Sequence, residues 1–234
     1  MLTHHSTLSF AGHTLHCIAF DPDSFHEHDL FWLPHHAQLH EAGRKRKAEH
    51  LAGRIAAVYA LRDYGSKAVP GIGEQRQPVW PAGLSGSISH CATTALAVVA
   101  RQPVGVDMEA IFTPQMAVEL TDSIIDNEER EILRSSTLPF TLALTLAFSA
   151  KESLYKAFCE WANPWPGFDS AKVSAINASR ISLRLTALFS AKIVVHVVNV
   201  EWKTRDECVI TLCQARPTSQ ETGPRSPALR DPDG

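Results

Sequence analysis

The stretch VGVDMEA, residues 104–110, sets two carboxylates one residue apart inside an apolar run. Read as a β-strand it alternates, so Gly105, Asp107 and Glu109 share one face while Val104, Val106 and Met108 share the other. The apolar face predicts a core. The acidic face needs water, a cation or a charged partner, because an unpaired buried charge is costly. Two carboxylates about 6–7 Å apart at their Cα atoms can converge on one hard divalent cation, most simply Mg²⁺. A strand with one wetted face would carry the same pair with no site at all.

Outward from this strand, the N-terminal side reads as a hairpin, SISH (87–90) followed by TALAVVAR (94–101). A loop rich in turn formers precedes it, with Pro70, Gly71, Gly73, Pro78, Pro81, Gly83 and Gly86. Before that loop, residues 41–64 have a helical pattern, with Leu51, Ile55, Val58 and Leu61 as an apolar stripe and Gly65 as the stop. On the C-terminal side, residues 122–136 and 147–161 read as helices, with Asp126/Glu129 and Ser149/Glu152 at capping-box spacing. Strands follow at 181–186, 193–203 and 207–214, the last two joined at Thr204-Arg205-Asp206. Helix then strands therefore occurs twice, over 41–101 and 147–214, without a sequence repeat. The segment 215–234 has four prolines and one large aliphatic side chain, and its composition predicts disorder.

The 234 residues, 44% hydrophobic, suffice for a substantial core. A net charge of −3, with 22 basic against 25 acidic residues, argues against nucleic acid or an anionic membrane as the main partner. Any anion must be held by a local cluster. Five widely spaced cysteines without a CxxC fit reduced thiols in a cytoplasmic setting. No signal peptide or transmembrane segment is evident. Ten of the twelve histidines fall in the first fifty residues, but their spacing matches no ligand pattern, so they read as loop and surface side chains.

Glu152 and Lys156, in FSAKESLYKAF (148–158), are spaced i, i+4 on one helix face, with Lys151 beside them. A capping box plus a surface ion pair would also account for them. Arg46, His50 and Arg54 form a basic stripe at i, i+4, i+8, which could equally be a solvated face. Ser89 and His90 could donate to a phosphate, or His90 could simply pack in a loop. Together these are the parts for Mg²⁺-assisted attack on a polyphosphate. No P-loop or dinucleotide-binding glycine motif is present.

The four ordered motifs GVDME (105–109), FSAKESLYK (148–156), SISH (87–90) and RKAEHLAGR (46–54) resemble the large, monomeric type of 4′-phosphopantetheinyl transferase. Within that family the branch serving siderophore synthesis, that of enterobactin, is the nearest match. The resemblance runs from about residue 10 to 214. It implies an α/β (α+β) fold of two similar subdomains, 1–103 and 104–214, related by a pseudo-twofold, with the active site in the cleft between them. The first would hold the 3′-phosphate and adenine side of coenzyme A, and the second the Mg²⁺ site and catalytic helix. The implied reaction moves phosphopantetheine from coenzyme A to a serine of apo aryl or peptidyl carrier domains, releasing adenosine 3′,5′-bisphosphate. Asp107, Glu109 and Glu152 would hold Mg²⁺. Glu152 would take the serine proton, directly or through water, and Lys156 would assist the leaving phosphate. Ser89, His90, Arg46, Arg54, Arg76 and Lys151 would bind coenzyme A. Ile111, Phe112 and Met116 are candidates for the carrier surface. The resemblance also implies a monomer, associated with a siderophore synthase complex at the inner membrane. Met108, Phe148 and Ser153 depart from the family's usual residues without removing an acid, a base or a ligand. A Mg²⁺-dependent nucleotide pyrophosphate hydrolase and a non-catalytic coenzyme A or carrier-binding module are the other readings of the same residues.

Overall fold

In the computed structural model, which describes residues 1–164, 166–193 and 197–214, VGVDMEA is strand β7 (Val104–Ala110). It forms one edge of a five-stranded antiparallel sheet ordered β7-β11-β10-β9-β8. Its partners are β8 (Ala171–Ile176), β9 (Arg180–Leu185), β10 (Val197–Arg205) and β11 (Cys208–Gln214). A second, four-stranded sheet has the order β1-β2-β6-β5. It comprises β1 (Thr3–Phe10), β2 (His13–Phe20), β5 (Ser85–Cys91) and β6 (Thr94–Ala100). A two-stranded ribbon, β3 (Gly71–Ile72) with β4 (Pro78–Val79), shapes the loop before β5.

Each sheet carries one helix of 19 residues. Helix α1 (Arg44–Arg62) lies on β2, β5 and β6; α4 (Phe140–Phe158) lies on β7 and β11. Alanines 48, 52, 56, 57 and 60 line α1 and are fully buried or nearly so, because 3₁₀ segments bearing Phe25, Leu30 and Leu33 cover the flank that the sheet leaves open. Small side chains let the helix approach from both directions. Helices α2 (Pro114–Ile124) and α3 (Asn127–Ser135) pack beside α4 over the five-stranded sheet.

The apolar face of β7 is a core, as the alternation predicts. Val104, Val106 and Met108 pack with Leu15 and Cys17 of β2, Leu96 and Val98 of β6, and Ile210 and Leu212 of β11, so one core spans both sheets. Edge strands β5 and β7 meet along this core but belong to different ladders. Serine hydroxyls close the gap: the Val106 amide donates to Ser87 Oγ at 2.9 Å and the Met108 amide to Ser89 Oγ at 3.0 Å. A buried amide left without such a partner would cost about 1–3 kcal/mol.

Several expected elements differ in extent. The helix expected over 122–136 is two helices, broken where Ile125 is extended and Asp126 opens α3 with the expected capping box to Glu129. The helix expected from 147 starts at Phe140, so Ser149 and Glu152 sit mid-helix and form no capping box. Ser149 Oγ instead meets Thr211 Oγ1 at 2.8 Å in the core. The histidine-rich N-terminus is a hairpin rather than loop, turned at Ala11 and Gly12, both at positive φ. Strand β8 was not expected. The segment 215–234, expected to be disordered, and part of the strand expected over 193–203 lie outside the described residues. Among the described residues no helix is long and apolar enough to cross a membrane.

Candidate active site

Gly105 brings the helix-borne residues to the strand-borne ones. A Cβ on Gly105 would lie 1.9 Å from the Ser153 carbonyl oxygen and 2.7 Å from the Ala157 nitrogen, so α4 rests directly on the β7 backbone. Two residues further along the same face is Asp107, and one residue before and three after Ser153 are Glu152 and Lys156. The mirror contact exists in the other half, where a Cβ on Gly53 of α1 would meet Ile88 Cγ2 of β5 at 2.8 Å.

Lys156 spans the seam between the sheets. Its Nζ donates to Asp107 Oδ1 and the Val106 carbonyl, each at 3.0 Å, and to the Ile88 carbonyl at 3.4 Å. Asp107 is 3% exposed, and its Oδ2 is buried with no hydrogen-bond partner. Glu109 is half-buried, and its carboxyl is pushed up to about 8, by burial first and then by the Asp107 charge, with Lys156 opposing. Glu152 is also raised, by burial and then by Asp107. Three acids whose charges oppose one another beside one ammonium have the donor chemistry of a hard-cation site, and the orphaned Asp107 oxygen is a free ligand atom. Among the described residues no three acids or histidines stand at ligating distance of one point. Lys156 holds Asp107 Oδ1.

Glu152 and Lys156 face a cleft of about 630 Å³ between the halves, and Asp107 and Glu109 lie outside its lining. Arg46, Glu49, His50 and Arg54 of α1 line one wall; Glu152, Tyr155 and Lys156 of α4 line the other; Arg76 and Trp80 of the ribbon loop lie across the mouth. His90 Nδ1 lies 2.6 Å from Glu49 Oε2, which fixes the proton on Nδ1 and leaves Nε2 for the cleft. Arg54 is 5% exposed, and its Nε and Nη2 donate to the carbonyls of Pro70 and Gly71, so it anchors the ribbon loop as well as charging the cleft. Burial pulls its guanidinium down to about 10, still well above neutral pH. Arg46 and Arg76 are exposed.

The structure thus gathers Glu152, Lys156, His90, Arg46, Arg54 and Arg76 around one cleft, while Asp107, bonded to Lys156, and Glu109 lie outside its lining. It removes two other expected residues from it. Ser89 is buried and accepts from the Met108 amide at the seam. Lys151 points away from the cleft, into a buried ion pair with Glu129 at 2.7 Å, and donates to the carbonyls of Ile124 and Phe168. Neither lines the cleft. On the expected carrier surface, Phe112 is 7% exposed and packs beneath α4, whereas Met116 is exposed and Val118 is 82% exposed. Glu49 was missed. Its signal was a single acid within the basic run KRKAEH (45–50), at the spacing that places it beside Arg46.

Residues 35–100 match the family model described as the 4′-phosphopantetheinyl transferase N-terminal domain, and residues 103–213 match that of the 4′-phosphopantetheinyl transferase superfamily. A Salmonella typhi protein named enterobactin synthase component D is 63% identical over 215 residues, 92% of each chain. The Escherichia coli (strain K12) protein of that name is 55% identical over 218 residues, 92% of this chain and 99% of the other. The 4′-phosphopantetheinyl transferase PptT of Mycobacterium tuberculosis is 34% identical over 136 residues, 56% of this chain and 59% of the other.

Proposed function

The chain belongs to the 4′-phosphopantetheinyl transferase superfamily, a family generally dependent on a divalent metal, and from that premise we propose how its cleft divides the labour of the reaction. It transfers the 4′-phosphopantetheine arm of coenzyme A to a serine of apo carrier domains in enterobactin synthesis. The serine Oγ–P bond forms, the P–O bond to adenosine 3′,5′-bisphosphate breaks, and the serine proton must leave. Such a transfer needs charge neutralisation and alignment more than covalent help from the protein.

Asp107, Glu109 and Glu152 would hold the divalent ion, Mg²⁺, which would supply neutralisation of the pyrophosphate charge. Glu152 would take the serine proton through a water, since a carboxylate that also held a cation would be a weak base. Lys156, held over the seam by two backbone carbonyls, puts a fixed cation beside the leaving phosphate. His90, oriented by Glu49, offers Nε2 to the pyrophosphate. Arg46, Arg54 and Arg76 receive the 3′-phosphate and adenine end. Ile111 and Met116, extended by exposed Val118, form the carrier surface. The protein acts as a cytoplasmic monomer that meets the siderophore synthase complex, and the aryl and peptidyl carriers of that complex are its partners.

The observation that carries this reading is the juxtaposition that Gly105 permits, with Lys156 and Glu152 lining the cleft and Lys156 bonded to the buried Asp107. The test is intact-mass spectrometry of an apo aryl carrier domain incubated with the protein, coenzyme A and Mg²⁺. One added phosphopantetheine, abolished by EDTA, is expected. Cleavage of coenzyme A at the same rate without a carrier would identify a pyrophosphate hydrolase instead.

A further inference from the structure

Cys91 and Cys208 place their sulfurs 3.7 Å apart across the seam between the two sheets. Cys91 ends β5 and Cys208 begins β11, 117 residues later. Ser87, Ser89 and Cys91 alternate onto one face of β5. The first two bond the amides of Val106 and Met108, and Cys91 continues the series toward Ala110, whose register partner is Cys208. Cys91 is thus a third rung with a sulfur as its partner in place of an amide. Both thiols are half-buried, all five cysteines are free, and no other two sulfurs are in contact among the described residues.

We propose that Cys91 and Cys208 are a site of reversible oxidation, forming a disulfide that staples the two halves together at the far end of the strands bearing His90 and Glu109. The oxidant is a low-molecular-weight disulfide. The Cys91 thiolate attacks it, forming a mixed disulfide and expelling one small thiolate. Cys208 then gives its proton to water and attacks Cys91 Sγ, expelling the second. Two electrons pass from the cysteines to the small disulfide, which leaves as two thiols. Burial and the neighbouring sulfur push Cys208 up to about 11, so Cys208 is largely protonated near neutral pH and acts as the resolving thiol. The sulfurs start in van der Waals contact at 3.7 Å and close to bonding distance.

Glutathione disulfide is the probe. Reduced protein is incubated with it, blocked by alkylation, digested without reductant and mapped by mass spectrometry. The expected result is an internal Cys91–Cys208 cross-link, two fewer titratable thiols, and a denaturant midpoint that rises and returns with dithiothreitol. Cys91→Ser and Cys208→Ala should each abolish the cross-link and leave the transfer rate of the reduced enzyme unchanged. Glutathione adducts without the cross-link, a bond to another cysteine, or a cross-link that leaves the unfolding midpoint unmoved would each overturn the proposal.

Discussion

Replacing Gly105 by alanine adds one methyl group, and the structure fixes what it meets. The new Cβ would sit 1.9 Å from the Ser153 carbonyl oxygen, and reaching even 3.0 Å requires α4 to retreat by about 1.1 Å. Both atoms are backbone, so no side-chain rotation relieves the clash. Overpacking of this kind costs about 1–3 kcal/mol of stability. The larger consequence is for the site, since Glu152 and Lys156 move with α4 while Asp107 stays with β7, and the 3.0 Å Lys156–Asp107 contact opens. A misplacement of about 1 Å in a positioned catalytic group costs on the order of 10²-fold in rate, close to 2.7 kcal/mol of barrier. The assay is kcat/KM for carrier modification, with circular dichroism melting alongside and coenzyme A affinity measured by calorimetry. The expected Gly105→Ala protein is folded and loses roughly 10²-fold in kcat/KM, while Gly43→Ala, whose Cβ meets nothing within 4 Å, does not. A folded Gly105→Ala enzyme with the wild-type rate would refute the argument that this contact assembles the site.

Lys151→Met leaves the buried Glu129 carboxylate without its cation and should destabilise the protein by about 3–5 kcal/mol; a urea midpoint unchanged from wild type would contradict the pairing. His50, its Nε2 2.8 Å from that of His35, is held down to about 3 by burial and then by Arg54. Its unfolded value is about 6.5, so stability present above that pH is lost as pH falls toward the folded value, on the order of 1 kcal/mol by pH 5 after allowance for partial screening. Unfolding at pH 7 and 5 should show a shallower loss in His50→Gln, and an unchanged slope would exclude His50 as its source. Asp107→Asn should reduce transfer by at least 10²-fold without raising the KM for the carrier; a folded variant with the wild-type rate at limiting Mg²⁺ would argue against a direct role in holding the cation.

Where local pattern decides, the sequence was legible. The alternation of residues 104–110 predicts both the core face and the acidic face of β7, and the 3.6-residue spacing sets Glu152 and Lys156 on one side of α4. What it missed depends on distant partners. Ser89 carries the donor chemistry of a phosphate ligand, yet burial against an edge strand 19 residues away makes its oxygen the acceptor for the Met108 amide. Lys151 is one residue from Glu152, yet a helical turn points it at Glu129 instead of the cleft. The capping-box spacing of Ser149 and Glu152 is fortuitous within a helix that starts nine residues earlier, where Pro139 supplies the N-cap. The N-terminal hairpin escaped because β1 is an edge strand with a largely polar pattern, although the Ala11-Gly12 turn was its local signal.

The central claim is that Asp107, Glu109 and Glu152 form one divalent-cation site beside the cleft. Titration of the protein with Mn²⁺ in the presence of coenzyme A, followed by electron paramagnetic resonance of the free ion, tests it directly. The account predicts one bound Mn²⁺ per chain, displaced by Mg²⁺ and weakened at least tenfold in each of Asp107→Asn, Glu109→Gln and Glu152→Gln. Stoichiometric Mn²⁺ binding unchanged in all three variants, each of them folded, would contradict it.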